Sequence, residues 1–180
     1  MKQILKLALT LLLITSAVAL ALGGVNVLTK DRIADQQTQK LQAAISQVLP
    51  GGGEVLAQDT YQDETGLVSA VYAGENGYAV EVRPVGFDGQ IVMMVGVDHR
   101  GKVLAISVVS QTETAGLGAV IAAQNAKGEA FRNQFVGLEG TLAVKKDGGQ
   151  IDAVSGATIS SRAVTQGVNA ALACVKTITG

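Results

Sequence analysis

Residues 91–109 read IVMMVGVDHRGKVLAISVV, and the fold turns on them. Ile91 to Val97 is an apolar run, and Lys102 to Val109 is a second run rich in β-branched residues. Between them, Asp98-His99-Arg100-Gly101 has the composition of a turn. A four-residue connection ending in glycine suits an antiparallel hairpin that needs a positive φ near its last position, so Gly101 is expected to supply it. His99, at the tip, reads as an exposed turn residue. Upstream, Tyr78 to Val82 alternates apolar and polar side chains as a strand does.

Downstream the composition changes. Gln111 to Gly118, QTETAGLG, reads as a loop. Ala119 to Phe135 is expected to be helical, with Phe131 and Phe135 on one core-facing side. Lys145 to Gln150 holds a turn at Asp147-Gly148-Gly149. The last segment, Ala157 to Val175, sets Val164, Val168, Leu172 and Val175 on one helical stripe, with Cys174 buried or half-buried beside it. Strands followed by helices, without regular βαβ alternation, predict an α+β domain with an antiparallel sheet and flanking helices.

The N-terminal part is different in kind. Leu7 to Val25, LALTLLLITSAVALALGGV, holds nineteen residues without a charge. Counted from Ile4 to Leu28, the segment is long enough to cross a bilayer core of roughly 30 Å. Ala19-Leu20-Ala21 also has the small-x-small look of a signal cleavage site, so a retained helix and a removed signal are both open. Lys2 and Lys6 precede the span and Lys30 and Arg32 follow it, a slight bias toward a cytoplasmic N-terminus and an extracytoplasmic remainder. Lys30 to Val48 places Ile33, Gln37, Leu41, Ile45 and Val48 on a helical stripe, stopped by Pro50 and Gly51-Gly52-Gly53. The expected organisation is therefore 1–29 as tip and transmembrane helix, 30–50 as connecting helix and 51–180 as the domain.

Composition excludes several function classes. Fourteen Lys and Arg against fifteen Asp and Glu give a net charge of -1, which offers no attraction to a nucleic-acid backbone. One cysteine and one histidine exclude an internal disulfide, an iron–sulfur site and a multi-histidine metal site. Redox chemistry would need a cofactor held in another way.

Ile151 to Ser161, IDAVSGATISS, is where such a cofactor could sit. Ser155-Gly156-Ala157-Thr158 is a small-residue turn feeding a helix N-terminus, where free amides and the helix dipole favour an anion. Gly156 and Ala157 allow close approach to the backbone, and Thr158 presents a hydroxyl. The same residues also suit an ordinary helix cap, because Ser and Thr are favoured there.

Asp152-Ala153-Val154-Ser155-Gly156-Ala157-Thr158 resembles the flavinylation signal of the FMN-binding domain family. That resemblance implies FMN joined through its phosphate to the Thr158 hydroxyl by a flavin transferase that uses FAD, with Asp152 serving transferase recognition or the turn. Glu113-Thr114-Ala115-Gly116-Leu117-Gly118 is similar to a loop found in G subunits of Rnf complexes and C subunits of sodium-translocating NADH:quinone reductases. Ala115 stands where proline is usual and Gln111 where a histidine is common. The resemblance implies that Glu113, Thr114, Leu117 and Gly118 bind or shield the isoalloxazine. Residues 86–98 and 131–135 and the N-terminal span are similar to family segments as well. The implied role is an electron-carrying subunit of an Rnf-type ion-translocating complex, with the other membrane subunits and the lipid bilayer as partners. A quinone-reductase subunit and a non-redox anchored domain are the alternatives. The first would be separated by neighbouring genes, the second by an absence of flavin colour.

Overall fold

The computed structural model describes residues 2–180. Five strands form one antiparallel meander: β1 (Glu54–Val55), β2 (Val68–Gly74), β3 (Gly77–Val82), β4 (Val92–Val97) and β5 (Val103–Ser110). The β4–β5 hairpin is the one expected from its sequence, with Gly101 at φ +81°. Asp98 Oδ1 fixes that turn by accepting from the amides of Arg100 (2.9 Å) and Lys102 (2.8 Å). His99 is exposed at the tip, packed edge-on against Tyr78 with ring centroids 5.3 Å apart. Strand β2, which the residue pattern alone does not assign, pairs with β3 from Val68↔Val82 to Gly74↔Gly77.

Both faces of this sheet are covered, which explains why its strands read as apolar runs rather than strict alternations. Val80, Val82, Met93, Val95 and Val97 face the main core with helices α2 (Ala126–Asn133) and α3 (Thr158–Thr179). Ala79 and Met94 face the other way, toward Ala44, Ile45, Val48 and Leu49. On α3 the stripe Val164, Val168, Leu172 and Val175 is buried, and Cys174 with it. Burying each such aliphatic side chain is worth about 1.5–3 kcal/mol, so this stripe holds α3 on the sheet. Burial, and secondarily Asp63, pushes the Cys174 thiol up to about 11.

The expected helix over Ala119–Phe135 is corrected. A 3-10 turn spans Gly118–Ala122, and α2 begins only at Ala126. Asn125 restarts the chain as an N-cap, its side-chain oxygen accepting from the amides of Lys127 and Gly128, both at 3.1 Å. The Arg132 guanidinium then donates to the carbonyls of Ile121 (2.7 Å) and Ala123 (3.2 Å). Those carbonyls would otherwise continue a helical ladder. Phe131 and Phe135 still meet in the core, edge to face at 5.6 Å.

At the N-terminus, α1 (Lys2–Val48) is a single helix, so the apolar span and the following polar stripe are continuous. Residues 1–40 and 41–180 are separate compact units. In the first, large apolar side chains lie bare, Ile4 at 72% and Leu28 at 79% exposure. Such an unpartnered cylinder suits lipid rather than water. Thr10, Thr15 and Thr29 return their hydroxyl hydrogens to carbonyls four residues back, so those polar groups are satisfied within the helix.

Candidate functional site

The start of α3 is built from the segment before it. Ile151 joins Lys145 and Ala143 through backbone bonds of 2.8 and 3.1 Å. The Gln134 side chain then clamps the Asp152 backbone from both sides, accepting from its amide at 2.7 Å and donating to its carbonyl at 3.1 Å. Ala157 N donates to Val154 O at 2.9 Å, closing a turn in which Gly156 has φ +75°. Buried Ser161 secures the turn from inside: its hydroxyl accepts from Val154 N (3.0 Å) and donates to Ala157 O (2.9 Å).

Helix α3 begins at Thr158 with Ala157 at the cap position, and no side chain caps it. Among the described residues no acceptor meets the amides of Thr158, Ile159 or Ser160. Three donors at the positive end of a 22-residue helix are therefore free for an anion. The ordinary-cap reading of SGAT is not realised in this geometry.

The QTETAGLG loop is held against this turn by one buried carboxylate. Glu113, 6% exposed, accepts from Asp88 N at 3.1 Å on Oε1 and from the Ser160 hydroxyl on Oε2. Three segments distant in sequence are tied at that point. The glycines around it are spatially required: a Cβ on Gly118 would lie 2.5 Å from Glu113 Oε2 and 2.6 Å from Ser160 Oγ. A Cβ on Gly156 would sit 3.0 Å from Leu117 Cδ2, so the bare backbone lets Leu117 lie on the turn.

Between loop and turn lies a cleft of about 370 Å³, lined by Phe87, Glu113, Thr114, Leu117, Lys146 and residues 156–160. Thr158 is half-buried there, and Lys146 Nζ donates to its hydroxyl at 3.2 Å. Of the residues singled out from sequence, Glu113, Thr114, Leu117, Gly156, Ala157 and Thr158 line this one cleft, and Gly118 packs behind it. Glu113 turns its carboxylate into the Ser160 and Asp88 contacts. Ser155 and Asp152 line a neighbouring cleft instead, with Gly116 and Gln134, and exposed Asp152 pairs with Lys145 at 2.7 Å.

Phe87, Lys146, Ile159 and Ser160 also line the cleft, and the sequence motifs do not single them out. A lone aromatic between Gly86 and Gly89 was the available signal for Phe87. Lys146 sits in a charged turn that looks like ordinary solvated surface.

A third cleft, of about 550 Å³, lies toward the C-terminal end of α3, with His99, Arg100, Glu139, Asn169 and Lys176 on its walls. It is larger and carries charged side chains, but it lies at the opposite end of α3 from the uncapped amides. Among the described residues there is no cluster of metal-ligating side chains.

An uncapped helix end beside a cleft with apolar side chains, on a domain that follows a helix long and apolar enough to cross a membrane, has the features of a protein that holds a nucleotide cofactor. Residues 86–173 match the FMN-binding domain family, and residues 1–48 match the N-terminal region of RnfG. The chain is 36% identical to the G subunit of the ion-translocating oxidoreductase complex of Stutzerimonas stutzeri, over 92% of this chain and 78% of that one. It is 30% identical to the G subunit of the ion-translocating oxidoreductase complex of Methanosarcina acetivorans, over 95% and 94%. With the G subunit of the Na+-translocating ferredoxin:NAD+ oxidoreductase complex of Acetobacterium woodii it shares 29% identity over 93% and 89%. The chain belongs to the family of G subunits of Rnf ion-translocating oxidoreductase complexes, and its folded part is an FMN-binding domain.

The residues present fit FMN. The free amides and Lys146 suit its phosphate, Gly156 gives the backbone room beside the phosphate, and Leu117, Phe87 and Ile159 offer apolar cover to a flat ring.

Proposed function

We propose that this chain is the electron-relaying subunit of an Rnf-type complex, with FMN attached through its phosphate to Thr158. The observation that carries this reading is the meeting of the DAVSGAT turn and the ETAGLG loop in one cleft, with the Thr158 hydroxyl inside it. Attachment by a flavin transferase forms a bond from Thr158 Oγ to the FMN phosphorus and breaks the FAD pyrophosphate. AMP leaves, and the hydroxyl proton passes to water.

When bound, FMN supplies electron transfer in one-electron steps; the protein positions and tunes it. The amides of residues 158–160 hold the phosphate charge. Leu117, Phe87 and Thr114 cover the ring and keep water from it, while Glu113 holds the loop in place. Asp152, exposed on the flank of the turn, is available to the transferase.

The partners in this reading are the other membrane subunits of the complex, the transferase during maturation, and the bilayer around residues 4–28. Lys2 and Lys6 support a cytoplasmic N-terminus with the FMN domain outside. The test is intact mass and in-gel fluorescence of the full chain co-produced with a flavin transferase. Wild type should carry one covalent FMN and Thr158→Ala none; an equally fluorescent mutant band overturns the linkage. An export-dependent reporter fused after Gly180 should be active, and activity only of a cytoplasmic reporter reverses the topology.

A further inference from the structure

The turn Lys145–Asp147 touches the flavin motif with two of its side chains and the first turns of α3 with the third. Lys145 Nζ pairs with Asp152 Oδ2 at 2.7 Å, at the start of the motif. Lys146 Nζ donates to Thr158 Oγ1 at 3.2 Å, at its end. Asp147 takes a two-point contact from Arg162, one α3 turn beyond Thr158, at 2.7 and 2.5 Å. The turn itself is rigidly closed: Gly148 has φ +83°, and the amides of Asp147 and Gly149 both donate to Val144 O, at 2.8 and 3.1 Å. A lysine on so anchored a turn has fewer arrangements to lose when it meets a ligand than one on a free loop.

We propose that Lys146 is the cationic partner of the flavin phosphate, carried on a turn whose Lys145 and Asp147 pairs fix it beside Thr158. The inference rests on the proposed Thr158 linkage and adds a residue that the motif itself does not contain. A phosphodiester on Thr158 keeps one negative charge. The α3 amides face that charge from the helix end, and Lys146, which lines the same cleft, already reaches the bridging oxygen. Arg162 is occupied by Asp147, and Lys145 by Asp152. Lys146 is the cation among the cleft-lining residues.

The experiment compares full-length wild type, Lys146→Gln, Lys146→Arg and Thr158→Ala, each co-produced with limiting flavin transferase. Two quantities are read: the initial rate of FMN incorporation by intact mass, and the 31P resonance of the attached phosphate in detergent. Lys146→Gln should slow incorporation roughly three- to fivefold, the scale of a solvent-exposed ion pair, and move the 31P resonance. Lys146→Arg should restore both. If Lys146→Gln matches wild type in rate and resonance while Thr158→Ala carries no flavin, the clamp is wrong and the linkage stands. If Lys146→Gln is slowed but its 31P resonance is unmoved, Lys146 acts on the fold alone and the clamp is again wrong. Covalent flavin on Thr158→Ala overturns the underlying linkage.

Discussion

The two ends of α3 carry clefts of opposite character. The C-terminal cleft is the larger, about 550 Å³ against 370 Å³, and is rimmed by Arg100, Lys176 and His99. The N-terminal one is smaller and lined by glycine, alanine and threonine backbone beside Leu117 and Phe87. Size would choose the first and chemistry chooses the second. Cations at a helix C-terminus complement its dipole and need no ligand, whereas uncapped amides at the N-terminus leave donors to be met.

The strongest way to break this contrast is Thr158→Ala, for which we expect complete loss of covalent flavin by in-gel fluorescence. Gly118→Ala comes next. Its methyl would press on Glu113 and Ser160 at 2.5 and 2.6 Å, an overpacking worth about 1–3 kcal/mol. Thermal unfolding should show Tm lowered by roughly 3–8 °C. A neutral Gly118→Ala would mean that the Glu113 contact does not hold the cleft together.

Leu117→Ala should keep its flavin, because attachment reads the local motif, yet raise the midpoint potential by admitting water that stabilises charged reduced flavin. A redox titration followed by visible absorbance decides it, and an unchanged curve would make Leu117 simple loop packing.

A smaller effect concerns pH. Hydrogen bonding from Arg162 holds the Asp147 carboxyl below its ordinary 3.8. Because the folded value is depressed, the pair's contribution is complete above 3.8 and is lost as pH falls through the folded value. Thermal scans from pH 5 to pH 3 should therefore show a slightly steeper loss for wild type than for Arg162→Gln. Smallest of all, Lys176→Gln at the far end should leave flavin loading and potential unchanged; a loss there would erase the distinction between the two clefts.

Much of this contrast is legible in the residues themselves. The 91–109 hairpin, the α3 stripe and the SGAT turn are local patterns, and local patterns survive folding. What stayed hidden depends on distance. Glu113 and Ser160 lie 47 residues apart, and nothing in either segment announces that a carboxylate will meet a hydroxyl there. Lys146 looked like solvated surface because its partner is brought near only by the Val144–Ile151 bridge. Residues 119–135 carry a helical pattern, yet Asn125 and Arg132 take the hydrogen bonds of a continuous helix elsewhere. Strand β2 escaped because Ser69, Ala70 and Gly74 dilute its apolar signal.

The openness of the N-terminal cleft has a consequence for supply. Leu117 and Phe87 remain 46% and 67% exposed, a shallow seat for a freely exchanging cofactor. On the proposed linkage, however, the ring never returns to bulk solution. A short tether holds it at an effective concentration of about millimolar or more, so even weak contacts keep the seat filled. Occupancy then no longer follows the free flavin pool. A carrier outside the cytoplasm, as proposed here, would keep its one cofactor however dilute the flavin around it.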